Sequence, residues 1–236
     1  MTLIRSCTAS LAAALLATAA ASAHAEIIIS EVSPYSSGNA PYGADWFELT
    51  NTATAPVAVS GWKVDDNSNS FASAVLLNAI AEIGAGELVI FIDGSAATAA
   101  AFKTFWFGAH VPGGLQVGTY SGAGIGLSTG GDALNIFASD GTRLAGASFG
   151  PSTTGRTFDN AAGRTSLTLP LPEITTLSSL GTNGAFQSVA ALASGVPVGT
   201  LDIGSPGTIA AVPEASTYAM LMIGLAGLSM LRRVRR

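Results

Sequence analysis

The chain has 236 residues, 48% of them hydrophobic and only 11% charged, with 28 glycines and one cysteine. Residues 26–211 carry fourteen acidic side chains against five basic ones, a formal charge of −9 that repels phosphate backbones and leaves nucleic acid out as a partner. Cys7 falls in a segment expected to be removed, so the mature protein should have neither a disulfide nor a thiolate metal site and must be held by packing.

Residues 1–25 read as a secretory signal. Arg5 gives a positive start, residues 11–21 are an apolar stretch, and Ala23-His24-Ala25 supplies the small-x-small pattern, with cleavage expected after Ala25. Cys7 precedes the apolar stretch, which is the wrong order for lipid attachment.

The body, residues 26–208, consists of short apolar runs broken by glycine, which favours brief strands over long helices. Residues 27–32 form a β-branched run. In 45–51, Phe47 and Leu49 alternate with Trp46, Glu48 and Thr50, as a strand with one inner face requires. Val57 and Val59 share one parity, Trp62 and Val64 the other, so all four reach one core only through a bulge or kink at Ser60-Gly61. Residues 87–92 are an unbroken apolar run suited to a central strand buried on both faces.

Residues 96–107 are expected to form the one helix of the body, with Phe102, Phe105 and Trp106 at helical spacing as packing contacts. Residues 111–126 read as a Gly-rich loop. Segments 132–138 and 143–149 flank Ser139-Asp140-Gly141-Thr142, a hairpin signal in which Asp-Gly suits a type I′ turn. Trp46, Phe47, Leu49, Trp62, Leu88, Ile90, Leu134, Ile136 and Phe149 supply the bulk of a two-sheet core. The polar stretch 165–198 and the aromatic stretch 102–107 are expected as insertions or irregular edge structure.

At the C-terminal end, residues 215–231 carry no charge and run directly into Arg232-Arg233-Val234-Arg235-Arg236. As a helix they would span about 26 Å at ~1.5 Å per residue, against a hydrocarbon core of ~30 Å, with the arginines snorkelling at the boundary. An arginine cluster comprising Arg232, Arg233, Arg235 and Arg236 belongs in the cytoplasm by the positive-inside rule, which places the body outside, as the leader also does.

Val212-Pro213-Glu214, the short apolar helix and the arginine cluster together resemble the PEP-CTERM sorting signal over residues 209–236. Members of that family commonly carry a second proline where this chain has Ala215. The resemblance implies recognition by an exosortase-type membrane peptidase during passage through the inner membrane, with removal of the helix; permanent anchoring is the rival outcome. A second resemblance spans most of the body. Ile28-Ile29-Ser30-Glu31-Val32, Asp45-Trp46-Phe47-Glu48-Leu49-Thr50-Asn51, Val57-Ala58-Val59-Ser60-Gly61-Trp62 and Gly84-Ala85-Gly86-Glu87-Leu88-Val89-Ile90 resemble, in order, the lamin-tail domain. Gly126-Leu127-Ser128 and Gly131-Asp132-Ala133-Leu134 are similar to its next strand pair, and Gly204-Ser205-Pro206-Gly207 to its closing turn. This resemblance implies an all-β, immunoglobulin-like β-sandwich.

No catalytic constellation accompanies these features. His110 is the only histidine outside the leader and has no Gly-x-Ser-x-Gly partner motif. Gly122-Ala123-Gly124-Ile125-Gly126 lacks the lysine of a phosphate loop, and one histidine without cysteine builds no common zinc site. Asp65-Asp66-Asn67-Ser68-Asn69 is the one oxygen-rich cluster, short of an EF-hand, and reads first as a solvated turn; calcium at Asp65, Asp66, Asn67 and Asn69 stays open.

The resulting expectation is a protein without a cofactor, exported from a Gram-negative-type bacterium to the cell surface or extracellular matrix. There it would act as a non-enzymatic structural or interaction module, with exopolysaccharide or other surface polymers as the partner class that the resemblances imply. Two alternatives stand beside it, a calcium-dependent carbohydrate-binding protein and a secreted hydrolase acting on polysaccharide or phosphoester.

Overall fold

A computed structural model describes residues 27–34, 41–122, 125–191 and 200–208. The expected cleavage pair Ala23 and Ala25, the motif Val212, Pro213 and Glu214, the apolar tail and the arginine cluster all lie outside the described residues. Among the described residues, no helix is long and apolar enough to cross a membrane.

Strands β1 (Ile27–Ser33) and β2 (Trp46–Asn51) pair antiparallel, from Ile27 opposite Asn51 to Ser33 opposite Trp46, with an irregularity between Ile29 and Glu31. That extra residue lets Ile29 and Val32 both face the core despite their opposite parity. β3 (Val57–Ala58) pairs only with β6 (Glu82–Ile83), whereas β4 (Lys63–Asp65) pairs with β5 (Val75–Leu76) and β9 (Asp132–Phe137). The irregularity expected at Ser60-Gly61 is a tight turn, closed by the Trp62 N–H on the Val59 carbonyl at 3.0 Å with Gly61 at φ +79°. It is the corner where the chain leaves the β3–β6 ribbon for the second sheet, and Val59, Trp62 and Val64 all reach one core.

The remaining elements are β7 (Leu88–Asp93), α1 (Ala96–Phe107), β8 (Gln116–Tyr120), β10 (Arg143–Phe149), β11 (Phe158–Asp159), β12 (Glu173–Ile174), β13 (Phe186–Ala191) and β14 (Leu201–Gly204). The first sheet has the order β11-β1-β2-β7-β8 and the second β12-β10-β9-β4-β5, while β13 and β14 form a separate ribbon. The two sheets close face to face on Ile29, Val32, Phe47, Leu49, Val89, Phe91, Leu134 and Ile136, as an all-β, immunoglobulin-like sandwich.

A second core lies on the far side of the first sheet. There α1 packs Phe102, Phe105 and Trp106 onto Trp46, Ile90 and Ile92, and Phe186 of β13 meets the Trp106 ring at 5.7 Å. Trp46 and Ile90, expected between the sheets, belong instead to this outer core. α1 is the crossover that the parallel pairing of β7 with β8 requires. Ser95 and Thr98 form a capping box at its start, and Gly108 ends it at φ +57°.

Three further expectations about the strands and turns need correction. The Gly-rich stretch 111–126 contains strand β8, which the sequence hides because Gly118 interrupts its apolar alternation. A Cβ on Gly118 would stand 2.6 Å from both the Phe91 ring and the Asn78 carbonyl, so the glycine is what permits the strand to lie there. The β9–β10 hairpin exists, but Asp140 is not at positive φ. The Gly141 N–H donates to the Ala138 carbonyl and Gly141 alone sits at φ +88°, giving a three-residue loop with a bulge in place of the type I′ turn. Residues 126–128 form no strand, and Leu127 is instead fixed by its N–H on Asp45 Oδ2 at 2.7 Å. The stretch 165–198 holds β12 and β13 within its described part.

Candidate functional site

Alternation along the second sheet sends Val64, Leu134, Ile136, Ala145 and Ala147 inward, so Asp65, Ala133, Asn135, Gly146 and Ser148 face outward. Two loops partly roof this outer face. Residues 66–74 cross one side, where Phe71 packs edge-on to Phe137 at 5.8 Å under the Lys63 ammonium at 4.5 Å. Residues 165–172 run beside β10, tied by Ser166 N–H to the Gly146 carbonyl and Ser148 N–H to the Pro172 carbonyl, both at 3.0 Å.

Between the loops lies an open cleft of about 570 Å³, within the size range of small-ligand sites. Its floor is Ala133, Asn135 and Ser148, one wall is Asn67 and Asn69, and the other is Leu169, Pro170 and Leu171. Among the described residues, no ionisable side chain lines it. The Asn135 Nδ2 donates to the Asp66 carbonyl at 2.7 Å, which fixes the orientation of the amide because a carbonyl accepts only from the nitrogen. Its Oδ1 consequently points the other way, buried and without a partner, as is Asn69 Oδ1. Asn69 holds φ +52°, a backbone region in which asparagine is one of the few tolerated side chains.

The oxygen-rich loop singled out in the sequence thus forms a wall of the cleft, through its asparagines and not its aspartates. Asp65 is fully buried rather than solvated. Its Oδ2 accepts from Ser70 N–H at 2.6 Å and Ser68 Oγ at 2.7 Å, and its Oδ1 from Ser73 Oγ at 3.1 Å. Asp66 accepts from Ser68 N–H, while Asp132 accepts from Asn67, Ala133 and Ser128 N–H groups. These carboxylates bind the loop's own donors, the role a calcium ion would otherwise contest. Among the described residues, no group of three or more His, Cys, Asp or Glu side chains is placed to hold a metal ion.

A pair of acids that sequence reasoning left without a role lies on the outer face of the first sheet. Glu31 and Glu48 are register partners, exposed by 0% and 1%, beneath the turn that follows β14. Glu31 Oε1 accepts from Ser205 N–H at 2.7 Å and Thr157 Oγ1 at 2.5 Å, and Glu48 accepts from Gly207 N–H at 2.8 Å and Ser30 Oγ at 2.7 Å. The two carboxylates therefore clasp the closing turn Gly204-Ser205-Pro206-Gly207 by its backbone. Burial raises both pKa values, and the neighbouring Glu48 charge raises that of Glu31 further. Asp202, also fully buried, has neither side-chain oxygen hydrogen-bonded, and desolvation pushes its pKa up to about 7. Perturbed acids of this kind often mark catalysis. Here none is accessible to a substrate, and His110 sits exposed beyond α1.

The three acids Glu31, Glu48 and Asp202 are buried in an immunoglobulin-like sandwich, and the cleft lies apart from them on the other sheet. The family model of the Lamin Tail Domain matches residues 20–151, and the chain belongs to that family. The PEP-CTERM protein-sorting motif matches residues 211–236, which marks the chain for export through exosortase-type sorting. No curated protein matches the sequence. The lamin-tail match stops before β11, β12, β13 and β14, so the clasped turn and the Leu169-Pro170-Leu171 wall are contributed by residues beyond it.

Proposed function

We propose that this protein is a non-enzymatic interaction module, displayed at the cell surface or in the extracellular matrix of a Gram-negative-type bacterium. In this reading the leader is removed after Ala25, using Ala23 and Ala25. The tail crosses the inner membrane transiently with Arg232, Arg233, Arg235 and Arg236 in the cytoplasm, and an exosortase-type peptidase cuts at or near Val212, Pro213 and Glu214. The observation that carries it is a sorting motif at 211–236 only a few residues beyond the clasped turn of a lamin-tail body. What the module contacts is assigned to the uncharged cleft on the second sheet, because the opposite side of the sandwich is covered by α1 and the β13–β14 ribbon.

Intact mass spectrometry of the protein recovered from its host tests the sorting. A mature form beginning at Glu26 and ending upstream of Arg236 is expected, and it should revert to a form retaining residues 215–236 when the exosortase is deleted. A wild-type product that still ends at Arg236 would overturn the processing step and leave an anchored protein.

A further inference from the structure

We infer that the cleft between residues 67–69 and 169–171 binds a neutral glycan, an internal stretch of a polysaccharide, without calcium. The inference rests on the assignment of this cleft as the contact site and adds the ligand class.

Three observations carry it. The cleft has no ionised lining residue within a body of formal charge −9, so an anionic polymer meets repulsion and a cationic one finds no carboxylate to pair with. Its two walls differ in chemistry. Asn67 and Asn69 present amides, while Leu169 and Pro170 present apolar surface, Leu169 at 60% exposure. A pyranose ring has the same division, hydroxyl groups around its edge and C–H bonds on its faces. Asn135 Oδ1 in the floor and Asn69 Oδ1 in one wall are acceptors without donors, both covered in the unbound form, so a hydroxyl that reached either after a small side-chain shift would relieve a desolvated amide.

A peptide strand is the chief competitor for a neutral, donor-rich ligand. It usually adds to a sheet edge, where unpaired N–H and C=O groups offer a ladder. The floor of this cleft is β9 flanked by β10 on one side and β4 on the other, with both of its ladders occupied. Recognition must therefore come from side chains. Calcium is dispensable because Asp65 already accepts from Ser70 N–H and Ser68 Oγ of the loop and Asp132 from its Asn67 N–H.

The test is calorimetric titration of the exported protein with cellohexaose, chitohexaose and an oligogalacturonate of the same length, each with and without EDTA. At least one neutral hexamer should bind, the uronate should bind at least tenfold more weakly, and the chelator should change nothing. Two variants locate the site. Asn69→Gly deletes the amide while tolerating the positive φ, and Leu169→Asp puts a charge on an already exposed wall; both should keep the wild-type melting temperature and weaken binding at least tenfold. Binding of neither neutral hexamer, equal binding of the uronate, loss of binding in EDTA, or binding unaltered in both variants would each overturn the inference. These outcomes are separate from the processed mass, which reports only on sorting.

Discussion

Asp202 offers the most direct test of the electrostatics of the covered side of the sandwich. It is fully buried on β14, neither carboxylate oxygen has a hydrogen-bond partner, and its pKa rises from 3.8 to about 7 because burial penalises the charged form. An acid whose pKa is higher folded than unfolded stabilises the protein most below the unfolded value, and that contribution is lost as pH rises through the folded value. The shift is about 3 units, a ceiling of about 4 kcal/mol at 1.36 kcal/mol per unit. Between pH 5.5 and 8.5 only the part from 5.5 to about 7 is lost, about 2 kcal/mol. The substitution Asp202→Asn keeps the shape and removes the charge. Urea unfolding of the exported protein should show the stability of the variant relative to wild type rising by about 2 kcal/mol between pH 5.5 and pH 8.5. The gap between their midpoints should shift by about 1 M in favour of the variant, for a slope of about 2 kcal/mol per M. Glu31 and Glu48 titrate in both proteins and cancel in the difference. Parallel pH profiles, or a gap that shifts in favour of wild type, would refute the assignment of a charged, unpaired Asp202 in the folded state.

Three further outcomes follow from the geometry. Glu48→Ala removes the acceptor of the Gly207 N–H, so hydrogen exchange should speed up at residues 205–207 while β9 and β10 keep their protection; unchanged exchange there would deny the clasp. Gly118→Ala forces a methyl to 2.6 Å from the Phe91 ring and the Asn78 carbonyl and should cost about 1–3 kcal/mol, whereas Gly126→Ala, with nothing within 4 Å, should be near neutral in the same denaturation assay. Addition of calcium or EDTA should leave the melting temperature unchanged, since Asp65 and Asp132 are already held by the loop's own donors; a rise of several degrees with calcium would restore a metal role for residues 65–69.

Much of the fold was written in local patterns. The β-branched run of β1, the alternation of Phe47 and Leu49, the apolar run of β7 and the helical spacing of Phe102, Phe105 and Trp106 each specify an element through its own period. Ser60-Gly61 was legible as a break because four apolar residues could not otherwise share one core. β8 was not legible, since its glycine answers to the Phe91 ring from another strand. The turn at Asp140-Gly141 was recognised but mistyped, because the dipeptide fits more than one loop length and only the strand register decides.

Composition and order determined by themselves that residues 26–211 are an acidic, cysteine-free body of short strands with a sorting motif after it, because charge, apolar length and motif spacing act without any long-range contact. The tertiary structure alone decided the rest. Trp46 and Ile90 were assigned to the outer core by the helix laid across them. Glu31 and Glu48 acquired their partner from a turn more than 150 residues away. The cleft arises where residues 67–69 and 169–171, about a hundred positions apart, are brought over the same pair of strands. Such sites depend on which surfaces meet, and a one-dimensional pattern carries no record of that until the sheets are stacked.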